Sequence, residues 1–133
     1  MVSSGVVEPT PLSMNRARLP RLELGIDTAG NIVGQATTQH VLGFRLSNGT
    51  YSSLRYPVSS STTATAINDN KQIVGWAATS TAIIGFALTG GKYVQLTYPS
   101  SIWTEAYGID NNGNVVGSYE DSSSKFHGFL RTK

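Results

Sequence analysis

The sequence has no cysteine and little charge, and these absences narrow what the protein can be. Without cysteine, disulfide bonds and cysteine-ligated metal sites are excluded. Charged residues make up 14% of the 133 residues, and a net charge of +2 gives no electrostatic case for binding nucleic acid. No apolar run approaches the roughly 18 residues of a membrane span, and residues 1–10 show no secretory signal pattern. We therefore expect a globular domain without a nucleic acid or membrane partner.

One sequence pattern is present three times. Equivalent positions are 41 to 43 residues apart: Gly25 to Ala66 is 41, Ala66 to Gly108 is 42, and Gly85 to Gly128 is 43. A fixed period of this length indicates a repeat architecture. We place the three copies within a single domain that covers residues 1–133. They occupy residues 24–57, 63–99 and 105–131.

The second copy has the clearest strand pattern. Apolar stretches at 63–68, 72–78, 81–88 and 92–98 are separated by short polar turns, and Pro99 ends the last of them. Four antiparallel strands in about 42 residues are typical of one blade of a β-propeller. The sequence therefore predicts an all-β fold, a β-propeller built of four-stranded antiparallel blades with three blades per chain.

Glycines recur inside two of the predicted strands of every copy. A glycine within a strand is about 0.5–1 kcal/mol less favourable than alanine, so its recurrence indicates the close approach of another element. We expect a large side chain of a neighbouring blade, one of the three recurrent phenylalanines, to lie over these positions. The glycines are Gly34, Gly75 and Gly117, then Gly43, Gly85 and Gly128; the phenylalanines are Phe44, Phe86 and Phe129.

The third copy has no fourth strand after Arg131. Shifting Leu54 and Tyr56 back by 42 residues gives Leu12 and Met14, so residues 5–14 stand where a fourth strand belongs. Three blades are fewer than the about 4–8 of known propellers. We expect this segment to be donated to a second copy, giving a homodimeric six-bladed ring. Its apolar latch positions are Val6, Val7, Leu12 and Met14.

Other assemblies fit the same pattern. Three chains would give nine blades, and head-to-tail donation that never closes would give a filament. A third alternative is that the 133 residues are a fragment of a longer propeller. The period alone does not choose among them.

Two runs resemble a known repeat family. Residues 108–117 read Gly-Ile-Asp-Asn-Asn-Gly-Asn-Val-Val-Gly, and residues 125–130 read Lys-Phe-His-Gly-Phe-Leu. Together they resemble the bacterial HAF-type extracellular repeat, over residues 24–130, although only the third copy has the histidine of that family's triplet. The resemblance implies propeller-like β repeats in a secreted or cell-surface protein. It implies no shared chemistry, so no catalytic residue is transferred.

The sequence offers little for catalysis. His40 and His127 have no serine or cysteine partner at a recognisable spacing, and the acidic residues are scattered among turns. We therefore expect no catalytic residue, no metal site and no cofactor. An enzyme whose site needs both chains is the weakest alternative.

Tryptophan suggests a ligand site instead. Trp76 ends a predicted strand, and Trp103 stands in a connection just before Glu105 and Tyr107. An aromatic face beside polar groups suits a sugar, while packing between blades or over a blade edge is the competing interpretation. The first predicted function is a non-enzymatic self-assembling scaffold or binding module. A carbohydrate-binding protein with a site at these residues is the alternative.

Overall fold

The computed structural model describes residues 20–133, and every helix or strand within that range is a β-strand. The donated segment predicted at residues 5–14, with Val6, Val7, Leu12 and Met14, lies outside the described residues. The strands are β1 (Arg21–Ile26), β2 (Ile32–Thr37), β3 (Val41–Ser47), β4 (Thr50–Leu54), β5 (Ser61–Ile67), β6 (Ile73–Ala78), β7 (Ile83–Thr89), β8 (Lys92–Leu96), β9 (Thr104–Ile109), β10 (Val115–Glu120) and β11 (Phe126–Arg131).

The strands form three successive antiparallel units. Unit 1 is β1–β4, unit 2 is β5–β8 and unit 3 is β9–β11; within each unit, every strand pairs with the next. One parallel bridge from Val41 to Ser61 joins units 1 and 2 into an eight-stranded sheet, and unit 3 is a separate three-stranded sheet. An isolated parallel bridge from Ile83 to Trp103 repeats the same link between units 2 and 3.

Tight turns explain why the strands reverse where they do. The β3–β4 and β7–β8 hairpins each have two central residues at positive φ, Asn48 with Gly49 and Gly90 with Gly91, as a type I′ turn requires. Each turn after the first strand of a unit also has one left-handed residue, which is Lys71 in unit 2. The strands of unit 2 begin and end within two residues of their predicted bounds.

The expectation about the recurrent glycines was wrong in one respect. The phenylalanine over each first-set glycine belongs to the same unit, because Gly34 pairs directly with Phe44, Gly75 with Phe86 and Gly117 with Phe129. A bulge in the first strand of each unit then brings that strand's own carbonyl oxygen close. A Cβ on any of the three would lie closer than 3.0 Å to the carbonyl oxygen of Leu22, Thr63 or Glu105.

The core lies between successive units. Val33 and Leu54 of unit 1 pack against the side of unit 2 that carries Phe86, and Val74 and Leu96 of unit 2 pack against Val115 of unit 3. Residues directly opposite in a ladder share a face of the sheet. Val33 and Leu54 of unit 1 are the repeat equivalents of Val74 and Leu96 of unit 2, so the next unit covers the same face of both units. We call this the forward face of each unit.

Candidate functional site

The forward face of unit 3 is open within the described residues. We call it the terminal face and define it by Trp103, Glu105, Tyr107, Val116, Ser118, Phe126, Gly128 and Leu130. Val116 is 49% exposed, whereas Val33 and Val74 at the equivalent positions are fully buried. Phe126 is 56% and Leu130 63% exposed on the same face. These three apolar side chains are therefore exposed together on one face within residues 20–133.

The glycines of the third strands also show that the forward face is covered in units 1 and 2 and open in unit 3. A Cβ on Gly85 would meet the carbonyl oxygen of Leu96 at 2.9 Å and the backbone nitrogen of Ala106, in unit 3, at 3.6 Å. At Gly43 the equivalent neighbours are Leu54 and Ala64. At Gly128 the nearest atom is the Gly117 carbonyl oxygen at 3.8 Å. Gly128 therefore lacks both a fourth strand and a following unit among the residues described.

A groove opens beside the outer edge of β11. Its volume is about 300 Å³, and its lining includes Leu96, Tyr98, Phe129 and Arg131. Between units 1 and 2 the same position is filled, because the Tyr93 ring of β8 packs edge-on against both Tyr56 and Phe86 at 5.3 Å. Tyr98 and Phe129 are the repeat equivalents of Tyr56 and Phe86. The groove thus lies at the repeat equivalent of the place where the Tyr93 side chain packs between units 1 and 2.

Three residues predicted from the sequence form a connected cluster on the terminal face. The Trp103 indole N–H donates to Glu105 Oε2 at 2.9 Å, and the Tyr107 hydroxyl donates to the other carboxylate oxygen. Ser118 donates to the Tyr107 hydroxyl at 3.2 Å, and the Phe126 ring lies edge-on to Trp103 at 5.8 Å. Burial and then the Glu105 carboxylate raise the pKa of Tyr107. The hydrogen bond to Glu105 and the contact with Phe126 hold the Trp103 indole in one orientation, with a carboxylate at its edge.

Trp76 is not part of this cluster. It lies within β6 of unit 2, opposite Thr63 and Gly85, and is half-buried. Among the described residues, neither a hydrogen bond nor a ring contact joins it to Trp103, Glu105 or Tyr107. The four predicted ligand residues therefore divide into one group of three and one separate tryptophan.

A second aromatic group escaped sequence reasoning. Tyr98 and Tyr119 stack with ring centroids 3.6 Å apart, His127 stacks on Tyr119 at 5.2 Å, and His127 Nε2 lies 2.7 Å from Asp121 Oδ2. Hydrogen bonding to His127 is the main reason that the pKa of Asp121 is lowered. The repeat could have indicated this group, because units 1 and 2 have alanine where unit 3 has Tyr119.

The turns after β1, β5 and β9 meet at one end of the molecule. Asp69 Oδ1 accepts the backbone N–H and the hydroxyl of Thr28, each at 2.8 Å, while Asn111 Nδ2 donates to Asp69 Oδ2 at 3.0 Å. The Asp69 backbone N–H donates in turn to Asn111 Oδ1 at 2.8 Å. The Thr28 hydrogen bonds are the largest influence lowering the pKa of Asp69. These contacts fix the spacing of the three units.

Residues 20–133 contain no group of three or more His, Asp or Glu side chains placed to hold a metal ion. No helix in that range is long and apolar enough to cross a membrane. Neither a protein-family model nor a curated protein matches the chain. The resemblance to HAF-type repeats is therefore supported only by the motifs at residues 108–117 and 125–130.

Proposed function

We propose that the protein is a non-enzymatic, self-assembling β-propeller module. Each unit acts as one blade, and two chains together supply six blades, a number within the usual range of about 4–8. The contrast between buried Val33 and Val74 and half-exposed Val116 carries the proposal. The apolar terminal face has the composition of a blade-to-blade contact. Unit 1 of a second copy is its partner.

The proposed contact is head-to-tail. The terminal face of one chain packs on unit 1 of the next, as units 1 and 2 each pack on their successor. Rotation by half a turn brings the second chain back to the first, so the ring closes with two identical contacts. This arrangement extends the repeat contact already present within one chain.

Sedimentation velocity tests the proposed assembly. We expect wild type to sediment as a dimer and Val116→Glu as a monomer, because the new carboxylate would have to be buried without a partner. Val58→Glu is the control, since it adds the same charge at a 93% exposed position in the β4–β5 connection. We expect Val116→Glu to weaken association at least about tenfold, roughly 1.4 kcal/mol, and Val58→Glu to leave it unchanged. A monomeric wild type would overturn the proposal.

Carbohydrate binding is the second candidate function. It is favoured by Trp103, a residue that is 39% exposed and whose indole N–H is bonded to the Glu105 carboxylate, which also accepts from the Tyr107 hydroxyl. A pyranose would place its apolar face on the indole and its hydroxyls on these polar groups. The cluster lies on the terminal face, so such a site would be at the contact between two chains.

A glycan array followed by fluorescence titration tests the second candidate. We expect any glycan that binds to lose at least tenfold in affinity in Trp103→Ala and to be unaffected in Trp76→Ala, which removes the half-buried tryptophan outside the cluster. Equal losses in both variants would place the site elsewhere. Absence of binding across the array would reject this candidate and leave the assembly proposal standing.

The HAF-type resemblance also suggests the cellular location of the module. That family's repeats are extracellular, and we propose a secreted or cell-surface setting on this ground. The absence of cysteine is compatible with any compartment, so it does not oppose this setting. Fractionation of a cell that makes the full-length protein would test the setting.

A further inference from the structure

We infer that residues 5–14 of a second copy pair with the outer edge of β11 as the fourth strand of unit 3. The inference rests on the proposed assembly and goes further by naming the occupant, its register and its direction. Three features at this edge have no partner among the described residues. They are the outer edge of β11, the space over Gly128, and the groove between Tyr98 and Phe129.

The register follows from the two complete units. Leu54 pairs with Gly43 and Leu96 with Gly85, so the fourth strand places a leucine over the glycine of the third strand. Shifting Leu54 back by 42 residues gives Leu12, which therefore belongs opposite Gly128. The antiparallel ladder then sets Thr10 opposite Leu130.

The two prolines of the segment fit this register. A type I′ hairpin closes on a hydrogen-bonded pair, here Thr89 with Lys92, and hydrogen-bonded pairs then alternate along the ladder. The backbone N–H groups of Tyr93 and Gln95 consequently point away from β7. Their repeat equivalents are Pro9 and Pro11. Proline is tolerated on an edge strand where its missing N–H would face outward.

The groove and the connection lengths agree with this occupant. Pro9 takes the position of Tyr93, so an apolar ring enters the space beside Tyr98 and Phe129. Residues 55–60 connect unit 1 to unit 2 and residues 97–103 connect unit 2 to unit 3. By the same register the donated strand ends at Leu12, which leaves the eight residues 13–20 before β1, against six and seven in the two described connections. The fourth strand of one chain's unit 3 would thus lead directly into unit 1 of the next chain.

Cysteine cross-linking tests the inference on a chain that has no cysteine of its own. Two single variants, Thr10→Cys and Leu130→Cys, are mixed, unfolded, refolded together and treated with a short bismaleimide. We expect a covalent pair containing one chain of each variant. The control mixture replaces Leu130→Cys with Val58→Cys, which is exposed but distant from β11 in the repeat, and should give no such pair.

Proline substitutions provide an independent second measurement. Thr10→Pro removes an N–H that should bond to β11, so we expect at least a tenfold weaker dimer. Ser13→Pro, whose N–H should point outward like those of residues 9 and 11, is the matched control and should keep the wild-type dimer. Equal effects of the two prolines would overturn the register.

The outcomes separate this inference from the proposed assembly. A dimer that forms no cross-link at position 130 would overturn strand donation and leave assembly through the terminal face. A monomeric wild type would overturn both. A double variant that carries both Thr10→Cys and Leu130→Cys tests pairing within one chain. If it cross-links only within one chain, the segment pairs with its own unit 3 and donation between copies is rejected.

Discussion

At the scale of single residues, glycine marks where backbone segments approach one another. Gly75 is held beneath the carbonyl oxygen of Thr63, and its φ is not among the positive values, so the constraint is space rather than conformation. The next residue of the same strand, the fully buried Ala64, would have its Cα 3.0 Å from the added Cβ. A side chain cannot enter without moving β5 away from β6.

We therefore expect Gly75→Ala to lower the free energy of unfolding by about 3 kcal/mol, the upper part of the range for overpacked sites. Chemical denaturation followed by tryptophan fluorescence, at concentrations where the chain is monomeric, measures the change. The matched control is Gly128→Ala, where the nearest atom of residues 20–133 to the added Cβ is 3.8 Å away and the loss should be below about 0.5 kcal/mol. Similar losses in both variants would contradict this account.

The sequence predicted the strands and turns, but not which strands and side chains contact one another. Repeated glycine at 34, 75 and 117 indicated crowding, yet which element approaches depends on a bulge between positions 64 and 66 and its equivalents. A bulge changes the register between two strands, and the repeated residues do not reveal where that change occurs. The stack of Tyr98 on Tyr119 was missed for a related reason, since it joins a connection of unit 2 to a strand of unit 3.

At the scale of elements, the turns after β1, β5 and β9 act together through Asp69. Its carboxylate is ionised when it accepts from Thr28 and Asn111, and these hydrogen bonds hold the pKa of Asp69 below its ordinary value of about 3.9. A carboxyl group whose pKa is lower in the folded state stabilises the fold above its unfolded pKa. That stabilisation is lost as the pH falls through the folded pKa.

We therefore expect the stability of the wild type to fall as the pH drops below about 4, and the fall to be shallower in Asp69→Asn. The amide keeps one acceptor for Thr28 but meets the Asn111 amide with a donor, so some stability at neutral pH is also lost. Denaturant unfolding at a series of pH values measures both effects. Glu120→Gln removes a carboxylate away from these turns and serves as control; an identical acid profile for Asp69→Asn and wild type would reject the role of Asp69.

At the scale of the whole molecule, the three units pack one against the next. Each unit covers the forward face of the one before it, and unit 3 leaves its own face open in residues 20–133. The period predicted three similar strand units from the sequence, but not which face of each unit its successor covers. The number of copies in the proposed assembly depends on the angle between units, and the repeat spacing does not define that angle.

Gly128→Val and a measurement of mass test how many chains the proposed assembly contains. Within residues 20–133 the nearest atom to a Cβ on Gly128 is 3.8 Å away, whereas at Gly85 the fourth strand and the following unit fill the equivalent space. We expect the wild type to have twice the 14.2 kDa chain mass by light scattering and Gly128→Val to have the mass of one chain with unchanged circular dichroism. A trimer or an open filament of the wild type would contradict the six-unit ring, and a dimeric Gly128→Val would show that copies associate through some other surface.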